Sequence, residues 1–63
     1  MHTLIVNPKD AIKAQNIIDE KDSLNENLIE YPLDNTRWDI KDEQTEENIR
    51  YYFTMFDIEY KIE

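Results

Sequence analysis

The chain is predicted to be an α+β domain in which two helices cover one face of a four-stranded antiparallel sheet. Three observations carry that prediction. Apolar residues alternate with polar ones in short stretches and recur every three or four residues in two longer ones. The stretches follow one another in the order β-α-β-β-α-β. Finally, 63 residues have room for one small domain, residues 1–63, and no more.

Leu4, Ile5 and Val6 form a short buried strand. Asn7-Pro8 then opens a helix, with Asn as N-cap, Pro at the first helical position and Asp10 in the first turn. That helix runs from Pro8 to about Lys21, with Ala11, Ala14 and Ile18 on its buried stripe and Ile12 and Ile17 on the flanks. Asp22 to Asn27 is a polar loop with Leu24 tucked beneath it. Leu28 to Leu33 is a second strand in which Ile29, Tyr31 and Leu33 share a face, and Pro32 assigns it to a sheet edge. Asp34-Asn35 is expected to make the turn, since both tolerate positive φ. Thr36, Trp38 and Ile40 then face one way and Arg37, Asp39 and Lys41 the other. A second helix, capped by Asp42 or Thr45, runs to about Phe56 with Ile49, Tyr52, Phe53 and Phe56 on one face. Ile58, Tyr60 and Ile62 end the chain as a strand with one buried side. The order of elements resembles the split β-α-β, or ferredoxin-like, arrangement; a three-stranded α+β sheet is the alternative at this size.

Charge is the strongest functional signal. Fifteen Asp and Glu against seven Lys and Arg give a formal charge of −8 at pH 7. The excess is lopsided: residues 1–18 sum to +1 and residues 19–63 to −9. Such a field repels nucleic acid and anionic membranes and attracts basic surfaces. With 40% hydrophobic residues and seven aromatics, the chain is nonetheless expected to fold, unlike an acidic disordered tail. A domain of this length buries only about 60% of its unfolded surface, so self-association is a natural route to more burial. No apolar run is long enough to span a membrane, and Met1–Val6 lacks the basic flank of a secretory signal. A cytoplasmic protein is therefore expected. Richness in Ile, Asn, Asp, Glu, Lys and Tyr fits an AT-rich coding sequence, as in a low-GC bacterium or its phage.

Catalytic constellations are missing. There is no cysteine, His2 is the single histidine and Ser23 the single serine. No triad or zinc site follows from that set. The absence of glycine removes the usual phosphate-cradling loops. Asp19, Glu20, Asp22 and Glu26 cluster, but Asp22-Ser23-Leu24-Asn25-Glu26 lacks the glycine of a Ca²⁺ loop and has leucine at a ligand position. No enzyme activity, metal or cofactor is expected.

The candidate surface is acidic. Asp42, Glu43, Glu46 and Glu47 crowd the start of the second helix, where the macrodipole also favours them. Glu30, Asp39, Glu59 and Glu63 lie on strands. Carboxylates at i and i+4 on a helix stand about 5–6 Å apart, and alternate strand residues about 6.6 Å, spacings suited to a row of cations arranged for phosphates. Tyr51 and Met55 lie about half a turn from the buried face of the same helix, which makes them candidates for self-association. The open sheet face, with Ile5 and Leu28, is a second candidate for a homodimer contact.

In charge, size and lack of catalytic residues the chain resembles the small acidic DNA-mimic and host-takeover inhibitor proteins of bacteriophages. The resemblance implies competition for the nucleic-acid site of a basic host protein, such as a histone-like protein, polymerase, sliding clamp, nuclease or repair glycosylase. A protein–protein adaptor or antitoxin-like module docking through Trp38, Tyr51 or Met55 is the alternative, with the charge then serving solubility.

Overall fold

In the computed structural model, which describes residues 2–63, β1 (His2–Val6) is an inner strand with Leu4 and Val6 buried on one face. It pairs antiparallel with β3 (Asp34–Ile40) and with β4 (Tyr60–Ile62). The strand β2 (Leu28–Tyr31) adds to the far side of β3, also antiparallel, giving the order β2-β3-β1-β4. The helices α1 (Ala11–Glu20) and α3 (Glu43–Met55) pack on one face, so the predicted α+β fold with ferredoxin-like strand order is the one formed. Leu4 and Val6 from β1 and Trp38 and Ile40 from β3 meet Ala14, Ile17, Ile18, Ile49 and Phe53 from the helices. Two alanines on α1, Ala11 and Ala14, are buried and let that helix approach the sheet closely.

Several local expectations change. Pro8–Asp10 is a 3₁₀ turn, and the α-helix proper begins at Ala11. Asn7 caps the turn by accepting the Lys9 N–H at 3.0 Å, while Asp10 turns outward and accepts the Glu59 N–H at 2.9 Å. Ile12 is no flank residue: it is 77% exposed, on the side of α1 away from the sheet. Asp22–Asn25 is not a loop but one helical turn, α2, set off from α1 by the extended backbone of Lys21; it drives Leu24 into the core. Asp42 rather than Thr45 caps α3, with its carboxylate accepting the Thr45 N–H at 2.7 Å.

The largest correction concerns β2. Leu28, expected on the open face, is in the core, and Ile29 and Leu33, expected in the core, are 44% and 100% exposed. The ladder decides this by setting Leu28 opposite the core residue Ile40; the turn is displaced as well. It falls at Pro32-Leu33, not at Asp34-Asn35, because Asp34 already pairs with Tyr31 and its carboxylate ties down the Thr36 N–H at 2.9 Å. A register irregularity between Glu30 and Tyr31 absorbs the difference. One residue of slip exchanges the two faces of a strand.

Helix α3 stops at Phe56 with Asp57 in the left-handed region, φ 58°. The Ile58 N–H bonds the Phe53 carbonyl at 2.9 Å and the Asp57 N–H bonds that of Thr54 at 3.2 Å, the Schellman pattern. Glycine normally takes this position, and this chain has none. Asp57→Gly is expected to raise stability by about 0.5–1 kcal/mol, because it relieves the Cβ crowding of that conformation by more than the unfolded chain gains in freedom. A higher urea midpoint at unchanged slope would show it; a lower midpoint would contradict it.

Candidate functional site

The strands and the two long helices alternate in direction along the chain, with the single turn α2 lying in the connection between α1 and β2. The end of α1, all of α2 and the start of α3 therefore lie at one end of the sheet. Two hydrogen bonds fasten them there: the Lys41 N–H to the Asn27 carbonyl at 3.0 Å, and Lys41 Nζ to the Glu26 carbonyl at 3.2 Å. Asp19, Glu20, Asp22, Glu26, Asp42, Glu43, Glu46 and Glu47 thus share one end of a domain whose principal extents are 27 × 26 × 21 Å. They are eight of the fifteen acids of the chain.

The cations at this pole are engaged. Lys21 Nζ lies 5.1 Å from the centre of the Tyr52 ring, and Lys41 is held on the carbonyl just described. Arg50 bonds Glu46 at 3.1 Å. Among the described residues, Asp19, Glu20, Asp22, Glu26, Glu43 and Glu47 form no ion pair.

Local energetics separate the two halves of the pole. Asp42, Glu43 and Glu46 stand at the positive end of the α3 dipole and stabilise it. Asp19 and Glu20 stand at the negative end of α1, whose last turn holds no basic residue; the C-cap Lys21 has its ammonium over the Tyr52 ring. Helix stability does not account for acids in that place. The first cluster of four, weighed from sequence only as metal ligands, is therefore part of the surface. What brings it there is the topology, which the local sequence does not display. No group of three or more His, Asp or Glu side chains among the described residues is arranged to hold a metal.

The strand acids do not form the expected row. Glu30 is exposed on the helix side of the edge strand, opposite Trp38. Asp39 is on the open face, half-buried, and accepts hydroxyl bonds from Thr3 at 3.0 Å and Tyr31 at 2.9 Å. Glu59 precedes β4 at the opposite end of the domain and is paired with Lys9 at 3.5 Å. Glu63 follows β4 and pairs with Lys61 at 3.2 Å. Glu46, in turn, is only partly accessible, held between Arg50 and His2 Nδ1, the latter at 2.7 Å. A shallow recess of about 210 Å³ opens beside Glu46, lined by His2, Ile40, Lys41, Asp42, Glu43 and Glu46.

Three carboxyls are held below their ordinary range. Asp42 is lowered by the hydroxyl and then the N–H of Thr45. Glu46 is lowered chiefly by its hydrogen bond with His2, and further by Arg50. Asp34 is lowered by the hydroxyl and N–H of Thr36. A carboxyl lowered by folding contributes fully above its unfolded value, about 4, and the contribution disappears as pH falls through the folded one. Stability is therefore expected to fall on acidification below about pH 4. Asp42→Asn keeps a capping oxygen but cannot titrate. Its melting temperature should drop less than that of the unaltered chain between about pH 4 and pH 2. Equal drops would remove Asp42 from the account.

Tyr51 and Met55 are 63% and 55% exposed, so α1 does not cover them. Tyr51 packs edge-on against Tyr52, with ring centres 5.2 Å apart. Ile5 is half-buried on the open face, opposite Lys61.

Fold and surface together define a small ferredoxin-like α+β domain with one strongly anionic end. In comparison with known proteins, the chain matches no family model, and no curated protein and no solved structure is significantly similar to it. No helix among the described residues is long and apolar enough to cross a membrane.

Proposed function

We propose that this chain is a non-enzymatic acidic binding protein that inhibits a basic nucleic-acid-binding host protein by mimicking DNA charge. The observation that supports this reading is the gathering of eight carboxylates on one end by the topology, two of them against the local helix dipole. Duplex DNA carries one charge per about 1.7 Å of axis, so the pole has about half the density of a duplex track of equal length. Arg and Lys side chains set for phosphates meet carboxylates with charge-assisted hydrogen bonds of comparable geometry. On this reading the chain is made by a bacteriophage, acts in the host cytoplasm and needs no cofactor. It binds no nucleic acid itself.

Exposure of Tyr51 and Met55 favours a second reading, an adaptor or antitoxin-like module that docks through them; Trp38, the third residue expected to dock, is buried in the core and takes no part. Salt separates the two. The tagged chain is expected to capture a basic protein from a low-GC bacterial lysate and to release it at moderate ionic strength. Saturating amounts of the chain should then displace labelled duplex DNA from the captured protein. If that protein keeps its DNA, mimicry is wrong; if capture is indifferent to salt, docking through the aromatic surface is the better account.

A further inference from the structure

The two edges of the sheet differ. The β2 edge is interrupted by the irregularity at Glu30/Tyr31 and closed by Pro32, both devices that stop further strand pairing. The β4 edge has neither. Glu63 exchanges both backbone bonds with Thr3, at 2.8 and 2.9 Å, and the Glu59 carbonyl accepts the Asn7 N–H at 2.9 Å. Odd-numbered residues therefore turn their backbone groups toward β1, and Tyr60 and Ile62 turn theirs outward. Their side chains are also unfinished. Tyr60 and Ile62 are only half-buried on the helix side, where Leu4, Val6, Trp38 and Ile40 of the inner strands are fully buried.

The geometry points to a second copy of this chain as the occupant of the β4 edge, paired antiparallel about a two-fold axis at Tyr60. Charge favours a second copy as the occupant and excludes one register; a pairing centred on Ile62 would set Lys61 against Glu63 of the other copy, so the Glu59 variant below decides between the two. Glu59, Lys61 and Glu63 alternate in sign on the open side. A pairing centred on Lys61 would set Lys61 against Lys61 and Glu59 against Glu63, like against like, which is destabilising. Centring it on Tyr60 sets Lys61 of each copy against Glu59 of the other, in two complementary pairs. On the helix side it sets Tyr60 beside Tyr60 and gives the half-buried Ile62 of each copy a neighbour across the seam; Ile58, whose N–H is held by the Phe53 carbonyl, adds no ladder bond through that group. The two-fold axis also inverts the strand direction, so the acidic poles fall at opposite ends of an eight-stranded assembly and their repulsion is least. This inference is independent of the function proposed above and does not use Ile5, Tyr51 or Met55.

Sedimentation of the full chain over a range of concentrations tests it. The unaltered chain is expected to show a monomer–dimer equilibrium. Lys61→Glu and Glu59→Lys, both at exposed positions, should each weaken association at least tenfold while Trp38 fluorescence stays that of the folded protein. An equimolar mixture of the two variants should recover a dimer, because each Glu then meets a Lys again. Three results would overturn the proposal: a monomer at every concentration, variants that associate like the unaltered chain, or a mixture that stays monomeric.

Discussion

Phe53→Ala should leave the chain unfolded at room temperature. Phe53 is fully buried on α3, where it packs edge-on against Tyr60 with ring centres 5.5 Å apart. Its carbonyl also accepts the Ile58 N–H that closes the helix. Deleting a buried phenyl ring costs about 3–5 kcal/mol in lost transfer free energy and cavity. A domain of this size holds roughly 3–9 kcal/mol in all, at about 0.05–0.15 kcal/mol per residue. The chain has no disulfide to limit its unfolded state. The single Trp38, itself buried, reports the outcome: its emission should move to that of solvated indole, with loss of the cooperative urea transition. Leu33→Ala at the exposed turn is the control and should change stability by no more than about 0.5 kcal/mol. A Phe53→Ala chain with protected Trp38 and a sharp transition would mean that the core is organised differently.

The second large effect concerns the pole, and it has opposite signs for stability and for binding. Asp19→Lys with Glu20→Lys places cations at the negative end of the α1 dipole and removes two charges from a crowded anionic face. Each change should stabilise the free protein by about 0.3–1 kcal/mol. The same pair should weaken capture of a basic partner by roughly 10–100-fold, mostly through slower association at low salt. Glu43→Lys with Glu47→Lys should weaken binding similarly, but lower the melting temperature slightly, since Glu43 is in the first turn of α3. A variant that is more stable yet binds less well separates a functional charge from a solubilising one. If the first pair binds as tightly as the unaltered chain, the pole is not the contact. Tyr51→Ala and Met55→Ala would then be the informative changes.

Much of this was legible in the residues. Alternation at Trp38 and Ile40, the i, i+3, i+4 spacing of Ile49, Tyr52 and Phe53, and Asn7-Pro8 at a helix start each report a local preference that the fold satisfies. The face of β2 was not legible. Leu28-Ile29-Glu30-Tyr31-Pro32-Leu33 has apolar residues at both parities, so periodicity could not choose. The choice fell to Leu28, whose partner across the ladder is the core residue Ile40, with the irregularity at Glu30/Tyr31 uncoupling it from the turn. Ile12 misled for a related reason: an isoleucine beside a buried stripe has the right chemistry for a core, but α1 sits with that side in solvent.

The sequence by itself determined the sign and size of the charge, the order of the elements and which residues are apolar enough to be buried, because these depend on composition and on near neighbours. Which carboxylates stand together was decided only in three dimensions. Asp19 and Glu47 are 28 positions apart, yet the alternating direction of the strands and long helices carries both to one end, while Glu59 and Glu63, four apart, are held apart by the run of β4. Electrostatic surfaces depend on distance through space, and the path of the chain sets that distance.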